Sequence, residues 1–300
     1  MNLPATASSR RSAWVHGIRV PTLPAALTPV IVGSAVAARH HSLHPLILAA
    51  TLAAAVLIQV GTNLANDYYD FAKGADTAQR IGPPRIAASG AARPSTVLLA
   101  ALATFAAAAA IGAYLMVVGG LPILLIGLAS IAAGLAYTAG PVPLGYRGLG
   151  EITCFVFFGP VAVMGTDYLQ TGHAHLDALL ASLPVALLVT AILVVNNIRD
   201  IDTDRRAGKR TLAVRLGRRG ARVLYDVLLL GPYVFPFCLA LTGGIRWWIV
   251  WLPLLTLPLS VRLISVVART EEGPPLNAAL RGTARLHLAF GIILAAAILI

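Results

Sequence analysis

Along this chain, long apolar runs alternate with short polar breaks. The runs predict helices at roughly 20–38, 45–66, 95–118, 121–139, 149–170, 176–198, 221–242, 246–268 and 282–300. Each is close to the ~20 residues an α-helix needs to cross the hydrocarbon core of a bilayer. Only Gly119-Gly120 separates the third run from the fourth, so these two form a tight hairpin. The first run contains Pro21, Pro24 and Pro29 and follows a polar, basic stretch with Arg10, Arg11 and Arg19. It is long enough to span and reads as a retained first helix, with no cleavable signal peptide before it. The expectation is an all-α fold, a polytopic membrane bundle of nine transmembrane helices. Its two longest loops follow helices 2 and 6.

Composition agrees with that reading. Of the 300 residues, 58% are hydrophobic and 12% charged, against about 25% charged in soluble domains. Such a chain has too little polar surface to cover a water-soluble globule, and it is far too apolar for a disordered one. Cys154 and Cys238 lie inside apolar stretches and offer neither a metal-binding spacing nor a disulfide framework.

The net charge of +11 would suggest nucleic acid in a soluble protein, but here its position decides its meaning. Of the 23 Lys and Arg, all but Arg39 and Arg246 fall at the N-terminus or in the even-to-odd loops. Cytoplasmic loops carry the excess of Lys and Arg. The N-terminus and both long loops are therefore expected in the cytoplasm, the C-terminus outside, and no nucleic acid is expected as a partner.

The long loops contain the chemistry. The first cluster holds Asn63, Asn66, Asp67, Asp70, Lys73, Gly74, Asp76, Thr77, Arg80 and Gly82; the second holds Asn196, Asn197, Arg199, Asp200, Asp202, Asp204, Gly208, Lys209, Arg210, Thr211, Arg215 and Gly217. Asn63, Asp67 and Asp70 are at i, i+4, i+7, and Asn196, Asp200 and Asp204 at i, i+4, i+8, so each set falls on one helical face. Corresponding residues of the clusters lie 133 to 135 positions apart. This is an internal parallel repeat of about 20–140 and 149–268 within a single membrane-embedded domain, and it brings the carboxylates of both halves together. Clustered carboxylates repel and raise one another's pKa. A hard divalent cation relieves that, and Mg²⁺ typically binds one or two carboxylates plus substrate phosphates. The candidate metal ligands are Asp67, Asp70, Asp200 and Asp204, with Asn63, Asn196 and Asp76 beside them. Lys73, Arg80, Lys209 and Arg210 rim the site and suit a diphosphate.

At these clusters the chain resembles the UbiA-type intramembrane prenyltransferases. Asn66-Asp67-Tyr68-Tyr69-Asp70 matches the family's Asn-Asp-x-x-Asp motif, and Asp200 to Asp204 its Asp-x-x-x-Asp motif. The resemblance is strongest to the branch that prenylates 1,4-dihydroxy-2-naphthoate in menaquinone synthesis. It rests further on Thr22-Leu23-Pro24, Asp76-Thr77 with Arg80 and Gly82-Pro83, Ala136-Tyr137-Thr138, Gly145-Tyr146 with Gly148-Leu149-Gly150-Glu151, and Gly208-Lys209 with Thr211-Leu212. Gly74 stands where many members of the superfamily carry a further Asp. The resemblance implies a Mg²⁺-dependent transfer from a polyprenyl diphosphate to the naphthoate at the cytoplasmic face of the cell membrane, in contact with lipid, with loss of diphosphate and CO₂. Asp67, Asp70, Asp200 and Asp204 would be catalytic. Tyr137, Tyr146 and Arg147 would contact the aromatic acceptor, although the tyrosines also suit a membrane-interface belt and Arg147 a topology charge. Two alternatives stand beside this reading: another aromatic acceptor, or a secondary transporter. Transporter sites usually lie near the midplane on broken helices, whereas these clusters lie at helix ends.

Overall fold

The computed structural model describes residues 14–15, 17–75, 82 and 85–300. Among them there is no strand, and eight helices are long and apolar enough to cross a membrane. These are α1 (Val20–Arg39), α2 (Pro45–Ala72), α3 (Pro94–Ala136), α4 (Gly150–Thr171), α5 (Leu176–Arg206), α6 (Leu212–Leu241), α7 (Trp247–Arg269) and α8 (Gly273–Leu299). Proline opens several of them, including Pro45, Pro94 and Pro274. At the first helical positions its missing N–H is one that no turn would use, and its fixed φ already suits the helix.

The 43-residue α3 is not one rod. Gly120 has φ 68° and ψ −158°, a backbone conformation that breaks the helix and that glycine adopts without a Cβ clash. Phe105 and Gly134 both lie against the Gly61–Thr62 level of α2. A straight helix would hold residues 105 and 134 about 43 Å apart, so the limbs on either side of Gly120 run back along each other. The expected hairpin is present, while α3 counts as one of the eight elements.

α5 is the most enclosed of the eight, and α3 the most open to its surroundings. The main core groups α5 residues Leu188, Val195 and Ile198 with Tyr225 and Leu229 of α6 and Leu286, Phe290 and Leu294 of α8. A second cluster sets Leu64 and Ala65 of α2 against Val97, Ala101 and Phe105 of α3, with Ile86 and Ala87 of the intervening loop. α4 carries a π-turn at Phe157–Val161 around Pro160. There Gly159 meets α5 so closely that a Cβ would come within 2.3 Å of the Ala186 methyl. This tight crossing turns Phe157 and Phe158 toward the cavity described next.

The two motif-bearing helices extend beyond their predicted ends. α2 runs to Ala72 and α5 to Arg206, each more than a turn past the apolar stretch. The carboxylates therefore stand on ordered helix at one end of the bundle rather than on loops. α8 likewise begins at Gly273 rather than near 282.

Candidate active site

α2 presents Gln59, Asn63, Asn66 and Asp70 to a cavity of about 340 Å³. Asp67 lies about 60° round the helix from Asp70 and is fully buried elsewhere. Its two oxygens accept from the backbone N–H groups of Ile86 (2.9 Å) and Ala87 (3.0 Å). This carboxylate thus anchors the turn after α2, and it does not line the cavity. Asp70 does line it. Its Oδ1 accepts from the Tyr146 hydroxyl at 2.7 Å and the Lys209 ammonium at 3.1 Å, and its Oδ2 from Arg85 at 3.4 Å. Asn66 Oδ1 accepts from the Thr138 hydroxyl at 2.8 Å. Asn63 donates its amide to the Ile18 carbonyl and the Thr22 hydroxyl, tying the start of α1 to α2.

α5 supplies the facing wall with Asn196, Asn197, Asp200, Thr203 and Asp204. Arg199 organises it. Its guanidinium donates to both oxygens of Asp200 (2.7 and 2.6 Å), to Asn196 Oδ1 (2.8 Å) and to Asn277 Oδ1 of α8 (2.6 Å). The fork is buried, with the arginine side chain 2% exposed and the aspartate 15%. Such a planar bidentate contact fixes the orientation of a carboxylate as well as its charge. Asn197 donates to Glu151 of α4 at 2.9 Å, and both residues are buried.

The loops close the mouth. The segment after α5 crosses to the segment before α4, where the Arg210 N–H donates to the Tyr146 carbonyl at 2.8 Å. That contact sets the Lys209 ammonium 4.5 Å from the centre of the Tyr146 ring, within cation–π range. The Lys73 ammonium is 5.1 Å from the centre of the same ring and donates to the carbonyls of Thr138 and Gly140. Desolvation lowers the Lys73 pKa, Asp70 opposes the shift and Lys209 adds to it.

The cavity has two chemical ends. One holds Asp70, Asp200, Asp204, Asn66 and Asn196, with Lys209 and Arg85 among them. The other is lined by Ala55, Ile58, Ala133, Phe157, Phe158, Val189, Ile192 and Leu193. The carboxylate and amide oxygens of the first end are the donor set of a hard cation. Each amide oxygen that accepts one hydrogen bond keeps a second lone pair. The residues present therefore fit Mg²⁺.

Residues 26–297 match the model of the UbiA prenyltransferase family. The chain belongs to that family. Among curated relatives it is 39% identical to 1,4-dihydroxy-2-naphthoate octaprenyltransferase of Mycobacterium tuberculosis, over 95% of this chain and 96% of that one. It is also 39% identical to the enzyme of the same name from Escherichia coli, over 94% of each. A solved UbiA homologue from Archaeoglobus fulgidus, bound to GPP and Mg²⁺, has the same fold, with a TM-score of 0.67 at 15% identity over 95% of this chain and 99% of that one. The membrane bundle expected from the apolar runs is thus the UbiA fold.

Within this UbiA bundle the sequence-predicted residues separate. Asp70, Asp200, Asp204, Asn63, Asn196, Lys209, Tyr137 and Tyr146 converge on the cavity; Asp67, Lys73, Arg147 and Arg210 do not line it. Arg147 and Arg210 are solvent-exposed, and the carbonyls of both accept from Arg215. Asp76 and Arg80 lie outside the described residues. Four residues given no role from sequence are part of the site: Asn66, Arg85, Arg199 and Asn197. Asn66 was legible, since it precedes Asp70 by four as Asn196 precedes Asp200. Arg199 stood in the second cluster beside Asp200 without an assigned role, and Arg85 carried no sequence signal beyond charge.

Proposed function

We propose that this chain transfers a polyprenyl group from a polyprenyl diphosphate to 1,4-dihydroxy-2-naphthoate, releasing diphosphate and CO₂ and forming demethylmenaquinone. The observation that carries this reading is the cavity itself, which joins an oxygen-rich, cation-rimmed end to an apolar end in one membrane helix bundle. The relatives named as naphthoate octaprenyltransferases, matched over nearly their whole length, support the acceptor.

Asp70 on α2 and Asp200 and Asp204 on α5 would hold Mg²⁺, with Asn66 and Asn196 as neutral ligands beside them. When bound, Mg²⁺ supplies the Lewis acidity that makes the diphosphate a leaving group. Lys209 and Arg85, which pair with Asp70 and line the cavity, would take up part of the charge that develops on the diphosphate. Phe157, Phe158, Ile192 and Leu193 hold the prenyl chain and keep water from the allylic cation left by ionisation. The electron-rich naphthalenediol then attacks, and the new C–C bond replaces the bond to the carboxylate. Tyr137 and Tyr146 face the acceptor. Asp67 positions the loop behind the site, and Arg147 is assigned no contact with substrate.

We also infer nine crossings, because the two limbs of α3 run antiparallel about Gly120. The Lys and Arg distribution supports a cytoplasmic N-terminus and active-site end. The parallel repeat relates the α2 and α5 halves of a single domain. Purified protein incubated with Mg²⁺ and a polyprenyl diphosphate should form demethylmenaquinone from the naphthoate and no product from 4-hydroxybenzoate. Absence of product with the naphthoate overturns the assignment.

A further inference from the structure

The end of the bundle away from the carboxylate cavity carries its own cluster of ligating groups. Five of the seven histidines lie there: His40, His41 and His44 in the turn between α1 and α2, and His173 and His175 in the turn between α4 and α5. His40 Nε2 is 3.0 Å from Asp177 Oδ2. The His40 and His175 rings stack with centroids 3.8 Å apart and planes 8° from parallel. One ligand atom each from His40, His175 and Asp177 fall within 4.8 Å of one another. Behind them stands Asp167, fully buried, which accepts from His175 Nδ1 at 2.8 Å and from the His175 N–H at 3.2 Å. The other Asp167 oxygen is buried with no hydrogen-bond partner among the described residues.

From this arrangement we infer a zinc site formed by His40, His175 and Asp177, with Asp167 as the positioning carboxylate behind His175. A metal-bound histidine characteristically donates its second ring N–H to a carboxylate, which fixes its tautomer and orientation. Asp167 stands in that relation to His175 and leaves Nε2 for a ligand. Imidazole and carboxylate donors suit Zn²⁺, whereas the carboxylate and amide oxygens of the cavity at the other end suit Mg²⁺. Closing on the ion requires the half-exposed His40 to exchange its direct contact with Asp177 for one through the metal, since parallel stacked rings do not aim their lone pairs at a common point. A water would complete four ligands. The ion would tie the α1–α2 turn to the start of α5, remote from the reaction.

The test uses the full-length protein in detergent, stripped with chelator and titrated with Zn²⁺ while saturating Mg²⁺ occupies the carboxylate cavity. One Zn²⁺ per chain is expected, and Co²⁺ in its place should give the visible d–d absorption of a tetrahedral site. His40→Gln and Asp177→Asn should abolish that band, and Asp167→Asn should weaken Zn²⁺ binding by about 10–100-fold. His40→Gln should keep its prenyl-transfer rate, which verifies folding with a surface change even where a buried variant fails to fold. Lack of bound Zn²⁺ in the wild type, or equal stoichiometry and affinity in His40→Gln, overturns the inference.

Discussion

The ends of α2 and α5 look alike as sequence and are built differently. On α5 the two aspartates of the motif face the cavity, and Arg199 behind them grips Asp200, Asn196 and Asn277 together. On α2 only Asp70 faces the cavity. Asp67 turns away and caps the backbone of Ile86 and Ala87. Asp70 is held by groups from three other segments, namely Arg85, Tyr146 and Lys209. The α5 wall is therefore organised largely by one residue of its own helix, and the α2 wall by loops that meet over it. A local wall tolerates loop movement, while a wall made by converging loops forms only when they close. The difference also shows that equal spacing in two motifs does not mean equal roles. Asp67 aligns with Asp200 in the repeat, yet Asn66 and Asp70 are the α2 residues that match Asn196 and Asp200 in what they face.

The comparison can be broken most decisively at the cavity-facing carboxylates. Asp70→Asn and Asp200→Asn should each reduce prenyl transfer by about two to four orders of magnitude, since metal activation is worth several kcal/mol. Near-normal turnover at saturating Mg²⁺ in either variant would remove the shared-metal site. Next in size is Arg199→Ala. Loss of a group that orients metal ligands typically costs about 10–100-fold in metal affinity. The Mg²⁺ concentration for half-maximal transfer should rise by that factor, with kcat recovering at high Mg²⁺. A change in kcat alone would mean that Arg199 acts on substrate rather than through Asp200. The smallest effect on metal use belongs to Asp67→Asn. The variant loses charge-assisted bonds to two backbone donors, which should destabilise the protein by about 2–4 kcal/mol as seen in thermal unfolding. Its half-maximal Mg²⁺ should stay within about threefold of wild type. A tenfold rise would return Asp67 to the metal.

Much of this protein was readable from one dimension. Apolar runs of membrane length, the Gly119-Gly120 break and the one-sided distribution of Lys and Arg follow from what lipid demands of a chain, so sequence alone determined an all-helical membrane bundle. The Asn and Asp spacing likewise determined which helix ends carry the clustered carboxylates, because spacing on a helix fixes which residues are neighbours along it. Spacing does not fix how the helix is rotated about its axis. Asp67 and Asp70 are both acceptable members of one broad face, and only packing against the Ile86–Ala87 turn decided that Asp67 points to the loop and Asp70 to the cavity. Nor does it encode contacts between distant segments. Lys209 reaches Asp70 across 139 positions, Arg199 reaches Asn277 across 78, and Asn197 reaches Glu151 across 46. The tertiary structure alone decided these partners, because each depends on where a whole helix or loop comes to rest.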